Sequence, residues 1–553
     1  MNLKEKGDFM KKNNFNIRGD LAYRLLLSYS ILESYRYRAD YIFTADKLAW
    51  YGDWEGRTVL ALVRLYEATK REPAFLEQII DAFEEHLNEK GYLGEILPEG
   101  EFSEQQFAGH NWLLSGLIEY YLITENKYVH KIIDNIIANL YLKAKTHYYE
   151  YPIYRDEKDD KGGFSGETNS KKGCWQLSTD IGCAFICMDA LSKACLEMNR
   201  QDLLPLLTEM YDVFSKIDFI GLQMQTHATL SATRGIIRLY KITGEEKYLT
   251  TAVRIFDLYT KEGMTENYAN INWFGRPSWT EPCTIVDSSI CAVELYKLTG
   301  AEIYLEWFHK IYLNAIGYAQ RPNGGFGLDV CAGYGSNFIR PVRENMSIAY
   351  WCCTMRGGDG LSYYAENQIL QKDNQFEVLY FNDGLYRFGK IEIIEKTKYP
   401  YIGKTDFHIT NPDRETVALK IYIPKYAESV RIYKNGVFSE NQKSGGFCLV
   451  DITEKECDIT IEFDIPLIKA KADCSEYKDT YIKISHGYLL LGTNDENIEK
   501  IGKLKLIENT NCNYSDEDGH VFAPLNNICD ITVPEVESEH RQILFLNDQN
   551  EVD

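Results

Sequence analysis

Apolar side chains recur every three to four residues through the first two thirds of the chain, the spacing that lays one face of a helix against a core. One unit returns: an amphipathic helix closing on an apolar pair and Tyr, a short turn often carrying Thr-Gly, and a second helix opening near Tyr-Leu. It reads LVRLYEATKREPAFLEQII, LIEYYLITENKYVHKII, IIRLYKITGEEKYLTTAVRIF and AVELYKLTGAEIYLEWFHKIY. The marker tyrosines Tyr66, Tyr121, Tyr240 and Tyr296 stand 55, 119 and 56 residues apart, and ICMDALSKACLEMNRQDLLPLLTEMYDVF fills the double step as a degenerate copy. About six hairpins fit before residue 370, and such hairpins bury their apolar faces only by stacking on one another. A closed (α/α)6 barrel fits better than an open helical scaffold, because the loops between hairpins are rich in Gly, Trp, Asn and Cys, as at the mouth of a barrel.

From about residue 372 the period drops to two. FEVLYF, LYRFGKIEIIEKT, VALKIYI, SVRIYKNGV, CDITIEF and DTYIKISHGYLLLG are β-branched, aromatic and punctuated by Asn, Asp, Gly and Pro. They predict an antiparallel β-sandwich. The expected division is therefore residues 1–371 as barrel and 372–553 as sandwich, with a loop-rich tail beyond about residue 500.

The 553-residue chain is long enough for both units. Its net charge of -22, without a Lys/Arg cluster, opposes nucleic acid and anionic membranes as partners. The 13% aromatic content supplies flat faces of the kind carbohydrate clefts use, though ordinary cores use them too. MNLKEKGDFMKKNNF has basic residues but no apolar leader segment, and no uncharged run reaches membrane-spanning length. Fourteen cysteines show no framework spacing, so a cytoplasmic protein with reduced thiols is expected, with a homodimer kept in view.

Cys352 and Cys353, in YWCCTMRGG, follow Glu281 and Cys283, in SWTEPCTIV, by about seventy residues. Three thiols and a carboxylate are the set a four-coordinate Zn2+ takes, and each pair precedes a helical segment at a barrel mouth. A thiolate held on zinc is ionised at neutral pH and can serve as a nucleophile. Buried core cysteines are the plain alternative.

The chain resembles the bacterial β-L-arabinofuranosidases of glycoside hydrolase family 127. The likeness rests on EKGYLGEIL, THATLSATRGIIRLYKITGEEKYL, WTEPC, the WCC pair, and the strands around YPYIGK and VALKIYIPKYAESVRIYKNGV. The resemblance implies an (α/α)6 barrel with a β-sandwich, zinc on Glu281, Cys283, Cys352 and Cys353, and retaining hydrolysis with Cys352 as nucleophile. It places the acid/base on a Glu some sixteen residues before the metal Glu; Glu266 is the choice here, with Glu262 farther off. It also implies that His227 and His110 bond sugar hydroxyls. Trp175, Asp180, Trp273 and Trp279 are further candidates to face a sugar. The substrate would be a short glycan ending in β-L-arabinofuranose or a related unit. A polysaccharide lyase is the second reading, with Arg276, Arg340, Arg343 or Arg356 neutralising a uronate. A non-catalytic carbohydrate-binding zinc protein is the third.

Overall fold

The structure is a computed structural model that describes residues 14–44, 50–154, 168–333, 339–347, 349–439, 443–444, 446–474, 477–495, 498–526 and 538–547. Most of the basic N-terminal segment falls outside them. Among the described residues, the twelve longer helices alternate between an outer and an inner layer: α1 (Gly19–Leu32), α2 (Asp53–Thr69), α3 (Leu76–His86), α4 (Glu104–Thr124), α5 (Lys127–Ile136), α6 (Met188–Glu197), α7 (Leu204–Phe214), α8 (Thr226–Thr243), α9 (Glu246–Glu262), α10 (Pro282–Thr299), α11 (Ile303–Lys310) and α12 (Cys352–Glu366). The inner helices α2, α4, α6, α8, α10 and α12 each pack on the next, and α12 packs back on α2. The ring is closed: this is the (α/α)6 barrel.

The recurring tyrosine marks the turn that ends an inner helix. The backbone N–H of Lys70, Glu125, Gly244 and Gly300 donates to the carbonyl of Tyr66, Tyr121, Tyr240 and Tyr296 at 2.7, 2.7, 2.8 and 2.7 Å. All four donors are left-handed, with φ of 59°, 51°, 72° and 69°. Thr-Gly is the least strained way to make this cap, which is why the motif recurs with Gly in two repeats out of four.

Two sheets form the sandwich. One runs Asn14–Ile17, Gly384–Phe388, Ile391–Thr397, Lys404–Thr410, Glu456–Asp464, Glu428–Lys434, Val437–Ser439; the other Lys443–Ser444, Phe447–Ile452, Val417–Tyr422, Gln375–Val378, Ile369–Lys372. The alternation legible in CDITIEF becomes the alternating burial of Glu456–Asp464. Three features differ from the expectation. The N-terminal strand pairs with Gly384–Phe388, so the chain begins in the sandwich before entering the barrel. Val417–Tyr422 runs parallel to Gln375–Val378, within an otherwise antiparallel pair of sheets. The region beyond 466 is a further sheet, Leu467–Lys471 through Val521–Pro524 with Phe545–Leu546, around its own core of Ile484, Leu491, Phe522 and Phe545. Tyr481–His486 and Leu489–Gly492 are the segment DTYIKISHGYLLLG read as strand from the sequence; the other strands, two to five residues long, do not stand out from loop.

Candidate active site

The inner helices begin at one mouth of the barrel, and the predicted metal residues begin there with them. Glu281 is the N-cap of α10, Pro282 sits in its first turn, and Cys283 follows. Cys352 and Cys353 are the first two residues of α12, capped by Trp351. The free N–H groups of a helix start carry positive potential, which stabilises thiolates there. The sequence TMRGGDG, poor by composition as helix interior, nevertheless lies within α12. A Cβ at Gly357 would fall 2.2 Å from the Phe326 ring, and one at Gly360 2.5 Å from Val286, so tight packing outweighs the helix propensity these glycines lack.

The three sulfurs make a near-equilateral triangle: 3.9 Å for Cys283–Cys352, 3.8 Å for Cys283–Cys353 and 3.9 Å for Cys352–Cys353. A tetrahedral zinc with Zn–S bonds of about 2.3 Å sets its sulfurs about 3.8 Å apart, so the triangle is one face of that tetrahedron. Cys283 and Cys353 are fully buried, while Cys352 is part-exposed. Hydrogen bonds from the Cys283 and Cys353 thiols pull Cys352 well below the ordinary thiol range, and the Arg57 charge adds to them. Burial pushes Cys283 and Cys353 up. The accessible sulfur is thus the one that holds a negative charge most easily.

Glu281 shares a second donor group with Cys283 and His227, but its carboxylate leans toward His227, Oε1 lying 3.2 Å from Nδ1. Gln225 donates to Oε2 at 3.3 Å, and the Glu281 N–H is anchored on Asn270 Oδ1 at 2.8 Å. His227 is expected to bond a sugar, yet its Nε2 faces Asp287 at 3.6 Å and its ring stacks on Trp112. Both nitrogens face carboxylates, so His227 is placed to orient Glu281.

Beneath the thiols lies a layer that the sequence reading missed. Arg57 donates to Cys283 Sγ at 3.4 Å, pairs with Asp53 at 2.7 Å and lies 4.0 Å over the Trp112 ring. Arg356 lies over the same ring at 4.6 Å and pairs with Asp287 and Asp359. The approach depends on Gly56: a Cβ there would meet Leu113 N at 2.0 Å, so α2 and α4 touch backbone to backbone. Burial lifts the Asp53 carboxyl to about 6, against the lowering pull of Arg57. Asp189, which burial would raise, is held at about 2 by Arg234 and Arg238. No short motif marks this layer; helical spacing brings together residues from α2, α4, α10 and α12.

Three expected site residues lie elsewhere. His110 is buried, donates from Nδ1 to Gln106 O at 2.8 Å and accepts at Nε2 from the Leu93 N–H at 3.1 Å, and burial holds it down at about 4. With both nitrogens satisfied by backbone it is a structural histidine. Trp175 is fully buried among Phe102, Phe107, Tyr148 and Tyr151, its N–H on His147 O at 3.1 Å, and is core. Glu266 accepts from the Asp473 and Cys474 N–H groups at 3.0 and 2.7 Å and pairs with Lys483 at 2.9 Å. Its oxygens are held by the backbone at Asp473 and Cys474 and by Lys483, which makes it a latch onto the C-terminal segment and leaves neither oxygen without a partner for acid/base work. Two of the four lyase arginines fare likewise. Arg343 is buried against Glu539 and Tyr318, and Arg356 against Asp287, so neither is free to neutralise a uronate.

Trp273 is buried beside Gln225 at this mouth. It pairs by backbone with Gln225 and meets Trp279 edge-on at 5.4 Å, and its buried N–H has no partner. Gln225 Oε1 and both polar atoms of the Asn272 side chain are buried and unpartnered too. Unsatisfied buried groups on Asn272, Trp273 and the backbone-paired Gln225, beside a metal-type cluster, are what a polar ligand or ordered water would satisfy. At the opposite mouth, a cavity of about 610 Å³ is lined by Arg64, Glu67, Glu119, Lys193, Lys241 and Glu294. These six pair with one another, as Arg64–Glu67, Lys193–Glu119 and Lys241–Glu294.

Residues 378–467 match the family description "Beta-L-arabinofuranosidase, GH127 middle domain". Among solved structures, the fold is similar to a GH127 β-arabinofuranosidase, at 12% identity over 98% of this chain and 97% of that one, with a TM-score of 0.70. It is similar also to the GH127 β-L-arabinofuranosidase of Geobacillus stearothermophilus T6, at 13% identity over 96% and 100% of the two chains, TM-score 0.69. A protein described as a glycoside hydrolase matches at 12% identity over 98% of each chain, TM-score 0.68. At these identities the likenesses establish a shared fold. A search of curated proteins finds no match to the sequence.

Proposed function

We propose, on the premise that the chain is a divergent member of glycoside hydrolase family 127, that it is a retaining glycosidase whose nucleophile is Cys352. The observation that carries this reading is the triangle of sulfurs with one part-exposed corner. Zinc fits the donor set by spacing and chemistry, and Cys283, Cys353, Cys352 and Glu281 would hold it. When bound, it would keep the thiols ionised at neutral pH.

The chain's own groups account for the rest. The starts of α10 and α12, together with Arg57, favour negative charge on the sulfurs. Cys352, the sulfur open to the mouth, attacks the anomeric carbon as the glycosidic bond breaks, and water later displaces the sulfur, which returns the original configuration. Asp53, a carboxyl that burial keeps half-protonated near pH 6, is the group we assign to protonate the leaving oxygen and then to deprotonate the water. Gln225, Asn272 and Trp273 supply unpaired donors and acceptors for sugar hydroxyls, and a pocket whose polar groups must be satisfied discriminates strongly between sugars. The substrate class is a short glycan ending in a furanosyl pentose, β-L-arabinofuranose being the reference case.

The described cysteines are all free thiols, and no described helix is long and apolar enough to cross a membrane. Free thiols accord with action in a reducing compartment, the cytoplasm. The test is hydrolysis of an aryl β-L-arabinofuranoside followed by proton NMR. The first-formed sugar should keep the β configuration, and Cys352→Ser should abolish release. Inversion, or no turnover of any aryl pentofuranoside, overturns the reading.

A further inference from the structure

We propose a second zinc site, distinct from the three-thiol cluster, formed by His147, Glu150 and Cys174. The His147 and Glu150 side chains lie three residues apart on a 3-10 turn (Tyr148–Glu150, begun by His147), and with three residues per turn they fall on the same side. Cys174 comes from the tip of the hairpin formed by Thr168–Lys172 and Trp175–Ser178. One donor atom from each lies within 4.8 Å of the other two. Cys174 Sγ is 3.8 Å from Glu150 Oε2, and His147 Nδ1 is 3.7 Å from Glu150 Oε1. Tetrahedral zinc needs about 3.5 Å between sulfur and oxygen and about 3.3 Å between nitrogen and oxygen; the two observed contacts use different oxygens of Glu150, so the site closes when the Glu150 carboxylate turns one oxygen toward both partners.

Two further observations point to a ligand. His147 Nδ1 is buried without a hydrogen-bond partner, although the rest of the ring is part-exposed. The two segments are also held in place independently of the three donors. The Trp175 N–H donates to His147 O at 3.1 Å, His147 and Trp175 both pack on Phe102, and the Glu209 carboxylate accepts the N–H groups of Thr146 and Tyr148 at 2.7 and 2.8 Å. A mixed nitrogen, oxygen and sulfur set selects zinc over calcium or magnesium, which take oxygen alone. Burial and the Glu150 charge push the Cys174 thiol up, so binding releases its proton to solvent and the zinc charge offsets the crowding of two anions. A water completes the tetrahedron.

The role is a brace. The hairpin strand Trp175–Ser178 leads to Ile181, whose carbonyl accepts the Gln225 N–H at 3.1 Å, and Gln225 in turn holds Glu281. Pinning the hairpin to the 147–150 turn steadies that wall of the mouth. The site stands whether or not the three-thiol cluster is catalytic.

The experiment equilibrates the full chain with micromolar zinc and counts metal per chain by elemental analysis. Cys174→Ser and Glu150→Gln should each hold one zinc fewer than the wild type, and Cys353→Ser should lower the count through the other cluster independently. Zinc should also slow iodoacetamide labelling of Cys174 at least tenfold in the wild type and not in Glu150→Gln. An unchanged count in both variants, or Cys174 labelling indifferent to zinc, overturns the proposal.

Discussion

Replacing Glu266 separates a latch from an acid. In Glu266→Gln the shape is kept but the charge is lost, and the new amide turns a donor toward N–H groups that already donate. Lys483 has 4% of its side chain exposed and keeps Asp473 and the Glu266 carbonyl at 3.2 Å as partners, but its buried carboxylate is gone. Removing one partner of a buried pair costs about 3–5 kcal/mol, and the remaining Asp473 contact argues for the lower end. A loss of about 3 kcal/mol raises local opening roughly a hundredfold. Hydrogen exchange should therefore speed up across the sheet from residue 467 to 546, while kcat of the folded enzyme changes little for good and poor leaving groups alike. Exchange as in the wild type, with kcat lost only on substrates with poor leaving groups, would show that Glu266 is the acid/base after all.

Three further outcomes follow from the geometry. Asp53→Asn should slow aryl glycosides with poor leaving groups by about 10²–10⁴-fold and activated ones far less, and equal losses on both would remove Asp53 from proton transfer. Gly56→Ala should lower the urea midpoint, since its Cβ would meet the α4 backbone at 2.0 Å; a cost under about 0.5 kcal/mol would mean that the close helix contact is not what positions Arg57. His110 and His309, both fully buried, are held down at about 4 against an ordinary 6.5. The unfolded chain then takes up protons first as pH falls, so stability is full above 6.5 and drains between 6.5 and 4, by about 2 kcal/mol per histidine at pH 5. Urea titrations at pH 7.5 and 5 that give the same midpoint would contradict this.

The barrel was legible because its signal is local. The Tyr and Thr cap is written in four helices, with Gly after the Thr in two of them, and the apolar spacing of each inner helix does not depend on its neighbours. The sulfur cluster was legible because Glu281 with Cys283, two residues apart, and the adjacent Cys352 and Cys353 each sit at the start of one helix. What escaped was nonlocal. The ring of Arg57, Trp112, Asp287 and Arg356 exists only when α2, α4, α10 and α12 close together. His110 reads as a site histidine until its nitrogens are seen to be satisfied by Gln106 and Leu93. Glu266 lies close to the expected offset from Glu281, but the Asp473 and Cys474 backbone, in a bend that no local pattern marks, and Lys483 take its carboxylate. The first strand, Asn14–Ile17, is four residues whose partner lies some 370 positions away.

The central claim is that Cys352 forms a bond to the sugar, and trapping that bond tests it most directly. Asp53→Asn, given an activated aryl β-L-arabinofuranoside, should be glycosylated faster than it is released, and the quenched protein should carry one pentose on the peptide holding Cys352. Peptide mass spectrometry with fragmentation should place the pentose on Cys352 and leave Cys353 and Cys283 bare. A pentose on any other residue, or turnover by Cys352→Ser at a rate near that of the wild type, would contradict the account.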